Sequence, residues 1–301
     1  MKAHKDAEKL GLKDVFSCII EEYKNAPEFT NLSNSSKRAY NSYIRLIEAK
    51  FGTMPIAALA DLRVRGDFKT WRDSMASTPR KADYAWTTLA RIMSFAKDRG
   101  RIATNPCERG GKLYTSERID RIWTDADLAR LEAVASPSVW VIVLAALWTG
   151  QRQGDLLGLP WSAYDGVSIR LKQGKTGRRV TIPCGKVLRA ALDKLPRKSP
   201  TMLLNSRSRV WTSDGFRTSF AAAMELAGLA DADLHFHDLR GTAVTRLAIA
   251  ECSAAEIATF TGHSLMTVRA ILDEHYLSRD DAMGQSAIRK LEKSQNANKS
   301  D

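Results

Sequence analysis

Apolar side chains recur at helical spacing along the first hundred residues of the chain. A serine cluster at residues 33–36 and Gly52 bracket one of these stretches. Serine is a preferred helix N-cap, and glycine commonly ends a helix. A later stretch places Ala85, Leu89 and Ile92 on one face. The pattern predicts four helices, over residues 15–23, 33–52, 61–75 and 79–97.

The second part of the chain begins with two more predicted helices. Thr124 is followed three residues later by Asp127, which is the spacing of a capping box, and it opens a helix to about Ala135. The continuous apolar run Val139–Trp148 predicts a buried helix. Helical spacing resumes from about Thr212 and continues to the end of the periodic region near Leu272.

Between these helices lies the one clear β signal. Residues 167–171 and 179–183 alternate apolar and polar side chains around a basic, glycine-containing turn at 173–177. This pattern is typical of a β-hairpin. The sequence therefore predicts a mainly α protein with one small β-hairpin.

Charge divides the chain unevenly. It carries 46 Lys and Arg against 34 Asp and Glu, a net charge of +12, and residues 1–116 alone hold 21 basic and 13 acidic side chains. Such an excess favours a polyanionic partner, above all a nucleic acid. Cys107–Asp120 is rich in Gly, Arg and Lys without apolar periodicity, which indicates a linker. The predicted organisation is a tail (1–14), a helical domain (15–106), a linker (107–121), a second domain (122–293) and a tail (294–301).

Composition also excludes several classes of protein. The four cysteines lie far apart without a Cys-x-x-Cys pair, so we predict neither a zinc cluster nor a disulfide scaffold. The first fourteen residues lack the apolar core of a signal peptide, and Val139–Trp148 is too short to cross a bilayer. We expect a cytoplasmic protein that binds no metal and does not insert into a membrane.

Five short elements carry the side chains that phosphodiester chemistry needs. They are Thr149–Asp155 (T-G-Q-R-Q-G-D), Lys175 in the hairpin turn, His237–Arg240 (H-D-L-R), Thr261–His263 (T-G-H) and Tyr276. Each alone has an ordinary structural explanation, such as a surface ion pair or a helix cap. As an ordered set they supply every group needed to attack a phosphodiester without a metal.

This set resembles the catalytic constellation of the tyrosine recombinases, the phage integrase family. T-G-Q-R-Q-G-D-L and H-D-L-R-G-T-A-V-T are close to the family's two arginine boxes. Val15–Pro106 is similar to the family's helical core-binding domain, and Trp123–Leu291 is similar to its α+β catalytic domain. The resemblance implies a site-specific DNA recombinase or integrase of a mobile element, acting through a 3′-phosphotyrosyl intermediate.

The resemblance also implies a role for Tyr276 and for the charged and titratable side chains of the two boxes. Tyr276 would be the nucleophile, and His237 would accept its proton. Arg152 and Arg240 would chelate the non-bridging oxygens, because a planar guanidinium suits a phosphate better than an ammonium does. Asp155 would orient Arg152.

Two further side chains complete the implied catalytic set. His263 would donate a hydrogen bond to the same phosphate. Lys175 would protonate the departing 5′ oxygen, with Lys172 as the next candidate. In the first domain, Tyr84, Arg91 and Lys97 are assigned to a DNA-facing surface because of the +8 charge there. The alternative for these three, a core with a solvated rim, stays open.

The implied partners are double-stranded DNA, three further protomers in a tetramer on two DNA sites, and accessory DNA-bending proteins. No cofactor is expected, because the phosphotyrosyl link keeps the energy of the phosphodiester. The interval from His263 to Tyr276 is longer than in many family members, and the residues before Val15 are too few for an arm-binding domain. A short apolar stripe comprises Ala282, Ala287, Ile288 and Leu291. Its residues fit packing on its own catalytic domain as well as docking on a neighbouring protomer, and the resemblance implies the latter.

Three other functions are compatible with parts of this pattern. A type IB topoisomerase-like enzyme uses similar chemistry to relax DNA, but the separate helical domain and the H-D-L-R box favour a recombinase. A metal-dependent nuclease is disfavoured, because the acidic residues are scattered and His235 with His237 make a poor metal site. A non-catalytic DNA-binding accessory protein would not need the full set of six residues.

Overall fold

Two main hydrophobic cores organise the chain, one on each side of a boundary between Arg118 and Ile119. The computed structural model describes residues 14–115 and 121–275, with the single positions 288, 289 and 292. The nucleophile candidate and most of the C-terminal stripe lie outside the described residues; these are Tyr276, Ala282, Ala287 and Leu291. Ile288 of that stripe is described and is half exposed.

The first unit is helical. It comprises α1 (Phe16–Asn25), α2 (Pro27–Thr30), α3 (Asn34–Phe51), α4 (Val64–Asp73) and α5 (Pro79–Asp98), with a 3-10 turn at Ile56–Ala60. The serine cluster caps α3 as predicted, since the Ser33 hydroxyl accepts a hydrogen bond from the Ser36 N–H at 3.2 Å. The predicted inward face of α5 is fully buried at Ala85, Leu89 and Ile92.

Residues 106–114, which we call the strap, run along this first unit. Arg65 of α4 donates to the carbonyl oxygen of Pro106 at 2.6 Å, and Asp83 of α5 accepts the Leu113 N–H at 2.9 Å. The stretch expected to be a linker from residue 107 onward is therefore packed on α4 and α5 over most of its described length.

The second unit contains eight described helices and one hairpin. The helices are α6 (Asp125–Val134), α7 (Pro137–Thr149), α8 (Gln153–Leu157), α9 (Lys186–Asp193), α10 (Ser213–Leu226), α11 (Asp238–Ile249), α12 (Ala254–Thr261) and α13 (Leu265–His275), with a 3-10 turn at Trp161–Ala163. Thr124 and Asp127 form the predicted capping box at the start of α6. None of the described helices has the length and apolar character that a membrane crossing requires.

Helix α9 was missing from the sequence prediction. It is short, and it buries chiefly Leu188 and Leu192, one helical turn apart. Two buried side chains give too little periodicity to distinguish a helix from a loop. In contrast, α7 is buried along almost its whole length, which matches its continuous apolar run.

The hairpin consists of β1 (Ser168–Lys172) and β2 (Arg179–Pro183), paired antiparallel with Ile169 opposite Ile182 and Lys172 opposite Arg179. Its inward face packs Ile169 and Ile182 into the protein. The six residues 173–178 form the connecting turn, which we call the tip. The described part of the chain is thus mainly α-helical with one two-stranded sheet, which confirms the predicted fold class.

Candidate active site

The first arginine box lies where α7 ends. Gly150 has φ +64°, a left-handed conformation that glycine adopts without strain, and it ends the helix. The chain then turns, so that Arg152 caps the start of α8. The Arg152 guanidinium Nη1 lies 3.4 Å from Oε1 of Gln173 and 3.9 Å from Oδ2 of Asp155. The turn therefore directs this guanidinium toward the hairpin.

Asp155 contacts the hairpin tip more closely than it contacts Arg152. Its Oδ1 accepts a hydrogen bond from the Gly174 N–H at 2.7 Å. The 3.9 Å to Arg152 is beyond hydrogen-bonding distance. Lys175 follows Gly174 and is exposed on the tip. In this structure Asp155 thus holds the backbone next to Lys175, and its contact with Arg152 is weaker than the sequence interpretation expects.

The second arginine box opens α11, with His237 at its N-cap and exposed. Phe236, the residue before it, is buried edge-on against Phe216 and Phe220, with ring centres 5.0 and 5.6 Å away. This aromatic anchor fixes where the helix begins. One helical turn later, Arg240 lies on the same side of α11 and is only 4% exposed.

Arg240 is a buried cation with part of its bonding capacity unused. Its Nη1 donates to the carbonyl oxygens of Gly150 and Thr261, the latter at 3.2 Å. Its Nη2 is buried and finds no hydrogen-bond partner among the residues that the structure describes. Burial, together with the positive charge of Arg152, lowers the pKa of Arg240 to about 9. Both features favour a bound anion at this point.

His263 lies in the same region and is 7% exposed. It follows Gly262, whose φ of +70° ends α12. The Thr261 hydroxyl donates to the Ile257 carbonyl oxygen at 2.6 Å, so it accepts from His263 Nδ1 at 2.8 Å. This network assigns the ring proton to Nδ1 and leaves a lone pair on Nε2 of the neutral ring.

The pKa of His263 is lowered chiefly by burial, and the positive charges of Arg240 and Arg152 lower it further. Together they lower the pKa of His263 to about 3. His237 and Arg178 contribute in the same direction. Hydrogen bonds join Arg178 to the His263 carbonyl oxygen and Arg240 to the Thr261 carbonyl oxygen, and Arg152 reaches this network through Gln173. The structure thus brings together four of the six predicted catalytic residues; these are Arg152, His237, Arg240 and His263.

The sequence interpretation missed three polar residues of this site. Gln151 and Gln173 are buried, at 1% and 0% exposed, and they hydrogen-bond to each other at 2.7 Å. Arg178, on the far side of the tip, donates to the His263 carbonyl oxygen. A signal existed for Gln173, because it continues the alternation of the inward-facing Ile169 and Leu171. Contacts across 85 residues, as for Arg178, leave no local pattern.

The predicted DNA-contact residues of α5 do not share one face. Tyr84 is 55% exposed and stacks on Tyr43, with ring centres 5.8 Å apart. Arg91, seven residues on, hydrogen-bonds to the Tyr40 hydroxyl at 3.1 Å. Lys97 lies about 120° around the helix from Arg91 and forms an ion pair with Glu108. An aromatic and basic surface is therefore formed at Tyr84 and Arg91.

No group of three or more His, Cys, Asp and Glu side chains able to hold a metal ion occurs within residues 14–115 and 121–275.

Comparison with known proteins shows the family to which the chain belongs. The sequence profile of the phage integrase family matches residues 117–272, about half of the chain. This chain belongs to the phage integrase family. The family predicted from the two arginine boxes is thereby confirmed.

One relative of this integrase-family chain is the shufflon-specific DNA recombinase of Escherichia coli. The two are 31% identical over 188 residues, which is 60% of this chain and 47% of the recombinase. The integrase of Escherichia phage HK022 is 28% identical over 146 residues, 48% of this chain and 40% of that protein. The chain thus spans less than half the length of the curated relatives that it matches.

Solved structures support the fold of this integrase-family chain. A lambda integrase dimer bound to a COC′ core site has a TM-score of 0.73 at 20% identity, covering 89% of this chain and 79% of that one. A lambda integrase tetramer bound to a Holliday junction has a TM-score of 0.69 at 20% identity, covering 84% and 78%. At this identity the likeness concerns the fold.

Proposed function

We propose that this protein is a site-specific DNA recombinase that cleaves and rejoins DNA strands through a 3′-phosphotyrosyl intermediate. The observation that carries the proposal is that Arg152 and Arg240 meet at one hydrogen-bond network through Gln173 and the Thr261 carbonyl oxygen, and that the buried Nη2 of Arg240 lacks a partner among the described residues. Two guanidinium groups with a vacant donor suit a backbone phosphate. Membership of the phage integrase family and the recombinase and integrase relatives support this activity.

The proposed reaction begins with Tyr276, the only tyrosine after Tyr164 in the sequence. Its phenol oxygen attacks the phosphorus while His237 takes the phenol proton. Arg152 and Arg240 stabilise the added charge of the pentavalent transition state. The bond from phosphorus to the 5′ oxygen breaks, and the products are a 3′-phosphotyrosyl enzyme and a free 5′ hydroxyl. Attack by a 5′ hydroxyl of a partner duplex reverses these steps and completes strand exchange.

Lys175 supplies the proton to the departing 5′ oxygen in this scheme. Its exposure at the tip leaves its side chain accessible to DNA, while Asp155 holds the adjacent Gly174 N–H. A lysine ammonium is a compact donor on a long, flexible side chain, which suits this role.

His263 requires an additional step before it can donate to the phosphate. Its neutral ring carries the proton on Nδ1, bonded to Thr261, so while that hydrogen bond is kept Nε2 donates only when the ring is doubly protonated. An incoming phosphate anion offsets the charges of Arg152 and Arg240 and thereby favours that form. In our proposal His263 takes up a proton as the DNA phosphate binds.

We propose double-stranded DNA as the partner and a tetramer on two DNA sites as the active assembly, aided by accessory DNA-bending proteins. The net charge of +12 and the tetrameric lambda integrase of similar fold support this assembly. The first unit acts as a core-type DNA-binding domain, with Tyr84 and Arg91 toward the DNA. The second acts as the catalytic domain, and the reaction takes place in the bacterial cytoplasm at the nucleoid.

The test uses a candidate recombination site with a nick just downstream of the cleavage position, which traps the covalent product. Wild-type protein should become attached to the 3′ end, as seen on a denaturing gel. Tyr276→Phe should bind the same DNA as tightly and form no adduct, because the nucleophilic oxygen is missing.

Mass spectrometry of the adduct and a parallel reaction with excess EDTA complete this experiment. An adduct on another residue would overturn the assignment of Tyr276. Since the proposed chemistry uses only protein side chains, EDTA should change the rate by no more than about threefold through screening of DNA charge. Strict dependence on Mg²⁺ or Mn²⁺ would instead support a nuclease.

A further inference from the structure

Gln173 occupies an unusual place in the hairpin tip. Its side chain is fully buried, whereas Lys172 before it and Gly174, Lys175 and Thr176 after it are exposed. Burying a glutamine is unfavourable unless its amide is fully hydrogen-bonded. The residue therefore has partners that compensate its desolvation, and these partners indicate what it does.

The nitrogen and the oxygen of the Gln173 amide hydrogen-bond to different parts of the protein. Its Nε2 donates to Gln151 Oε1 at 2.7 Å and to the Thr261 carbonyl oxygen at 3.0 Å. Its Oε1 accepts from Thr176 Oγ1 at 2.9 Å and lies 3.4 Å from Arg152 Nη1. Two acceptors on one side and two donors on the other determine which end of the amide is oxygen.

The network around Gln173 extends to both predicted phosphate ligands. Gln151 directly precedes Arg152 and donates to Thr261 O at 3.2 Å, and Arg240 Nη1 donates to the same carbonyl oxygen, also at 3.2 Å. Three donors thus meet at the Thr261 carbonyl. Through it, the tip is connected with both arginines and with the segment that carries His263.

A steric observation supports this placement independently. A Cβ atom at Gly262 would lie 2.5 Å from Gln173 Nε2 and 2.9 Å from a Val180 methyl group. The backbone of Gly262 is therefore packed directly against the amide. Gln173 fits in its position because residue 262 has no side chain.

Lys175 lies between two anchored residues of the tip. Gly174 N–H is held by Asp155, and the Thr176 hydroxyl is held by Gln173. The backbone on both sides of Lys175 is thus tied to the box that contains Arg152. A misplacement of about 1 Å can lower a reaction rate on the order of 100-fold, so this connection matters for proton delivery.

We infer that Gln173 is a positioning residue which sets the hairpin tip, and with it Lys175, relative to the phosphate-binding arginines. The inference rests on the proposed function, in which Lys175 protonates the departing 5′ oxygen. It concerns a residue that contacts no substrate in this scheme. Its effect should therefore appear only when the leaving group needs a proton.

The experiment compares two nicked substrates in single-turnover cleavage, one with a normal phosphodiester and one with a 5′-bridging phosphorothiolate. A thiolate leaves without a proton, so the second substrate bypasses Lys175 but still needs the arginines. Gln173→Met keeps the length of the side chain and removes its hydrogen bonds. Its cleavage rate should fall about 100-fold on the phosphodiester and at most about threefold on the phosphorothiolate.

Two further variants distinguish the possible failures. Lys175→Ala should be rescued by sulfur, and Arg152→Ala should not be. If wild type forms no adduct, or Lys175→Ala is not rescued, the proposed reaction or its general acid is wrong, and the inference falls with it. If those controls behave as expected but Gln173→Met is unimpaired, or equally impaired on both substrates, only the inference on Gln173 is overturned.

Thr176→Val keeps the inference testable even if Gln173→Met does not fold. It removes one hydrogen bond to Gln173 at an exposed position, and its matched control is Thr181→Val, an exposed threonine on β2 of the same hairpin. Thr176→Val should slow cleavage of the phosphodiester about fivefold and leave DNA binding unchanged. On the 5′-bridging phosphorothiolate its cleavage rate should match that of wild type. Equal rates for the two threonine variants on the phosphodiester would refute the inference.

Discussion

Two buried arginines, one in each unit, differ in how far the protein fills their hydrogen-bonding capacity. Arg72 of α4 donates to the Gly110 carbonyl oxygen at 2.8 Å, forms an ion pair with Asp73 at 3.0 Å and lies over the Trp86 ring at 5.2 Å. Arg240 is equally buried, but its hydrogen bonds among the described residues are to carbonyl oxygens, and the positive charge of Arg152 outweighs the negative charge of Asp155 in lowering its pKa. Every nitrogen of the Arg72 guanidinium has a hydrogen-bond partner, whereas Nη2 of Arg240 has none among the described residues.

The difference separates two uses of a buried charge. Arg72 holds the strap on the first unit, and removing it takes one of two donors from the Gly110 carbonyl oxygen, which also accepts from Lys69. Arg240 is held in an unfavourable state, as its lowered pKa shows. Removing it takes the donor from the Gly150 carbonyl oxygen but also removes a buried cation with an unpaired Nη2, so these two effects on stability should largely offset each other while the chemistry is lost.

The largest expected effect is that of Arg240→Met on cleavage. The single-turnover rate should fall by at least 1,000-fold, roughly 4 kcal/mol of transition-state stabilisation. The free energy of unfolding should change by less than about 1.5 kcal/mol, because the loss of an incompletely paired buried charge offsets the loss of the donor to the Gly150 carbonyl oxygen. Denaturant unfolding and covalent-adduct kinetics measure the two quantities. A marked loss of stability with little loss of rate would make Arg240 structural.

Arg72→Met should show the opposite pattern. Its loss leaves the Gly110 carbonyl oxygen with Lys69 as its remaining donor and removes the buried contact with the Trp86 ring. We expect the free energy of unfolding to fall by about 3 kcal/mol. Cleavage at saturating DNA should stay within about threefold of wild type. A stable variant with greatly reduced cleavage would mean that the two arginines do not differ in the way we describe.

The smallest effect concerns the pH dependence of stability. The folded-state pKa of His263 is about 3, against an ordinary value of 6.5, so the unfolded chain binds more protons between these pH values. The free energy of unfolding should therefore fall as the pH drops below about 6.5, by at most about 1.4 kcal/mol per pH unit from this group. Denaturant unfolding from pH 5 to 7 should show a shallower slope in His263→Gln. If wild type and His263→Gln showed the same slope, the pH dependence of stability would come from a group other than His263.

Most of the fold was predictable because its signals are local. The serine cap of α3, the capping box of α6 and the alternation of the hairpin each depend on residues within a few positions. Helix α9 and the packing of the strap were not, since Leu188 and Leu192 alone give little periodicity and a glycine-rich strap has none.

The residue types of the candidate site were predictable, but their connections were not. Arg152 and Arg240 were identified from their motifs, whereas the carbonyl oxygen of Thr261, which links them, has no sequence signature. Asp155 was expected to serve Arg152 and instead contacts Gly174 more closely. Such preferences arise from tertiary geometry, which single motifs do not encode.

The register of the hairpin has a consequence for insertions and deletions. Ile169 and Leu171 alternate along β1, and Gln173 continues that alternation into the tip, so a slip of one residue would turn Gln173 outward and also expose Ile169. The burial of Ile169 in β1 thus also fixes the orientation of the Gln173 side-chain amide, four residues further along the chain. Changes in length between Gly174 and Gly177 should keep the register of β1 but displace Lys175 and slow cleavage, whereas changes before Gln173 should also disrupt the packing of the hairpin.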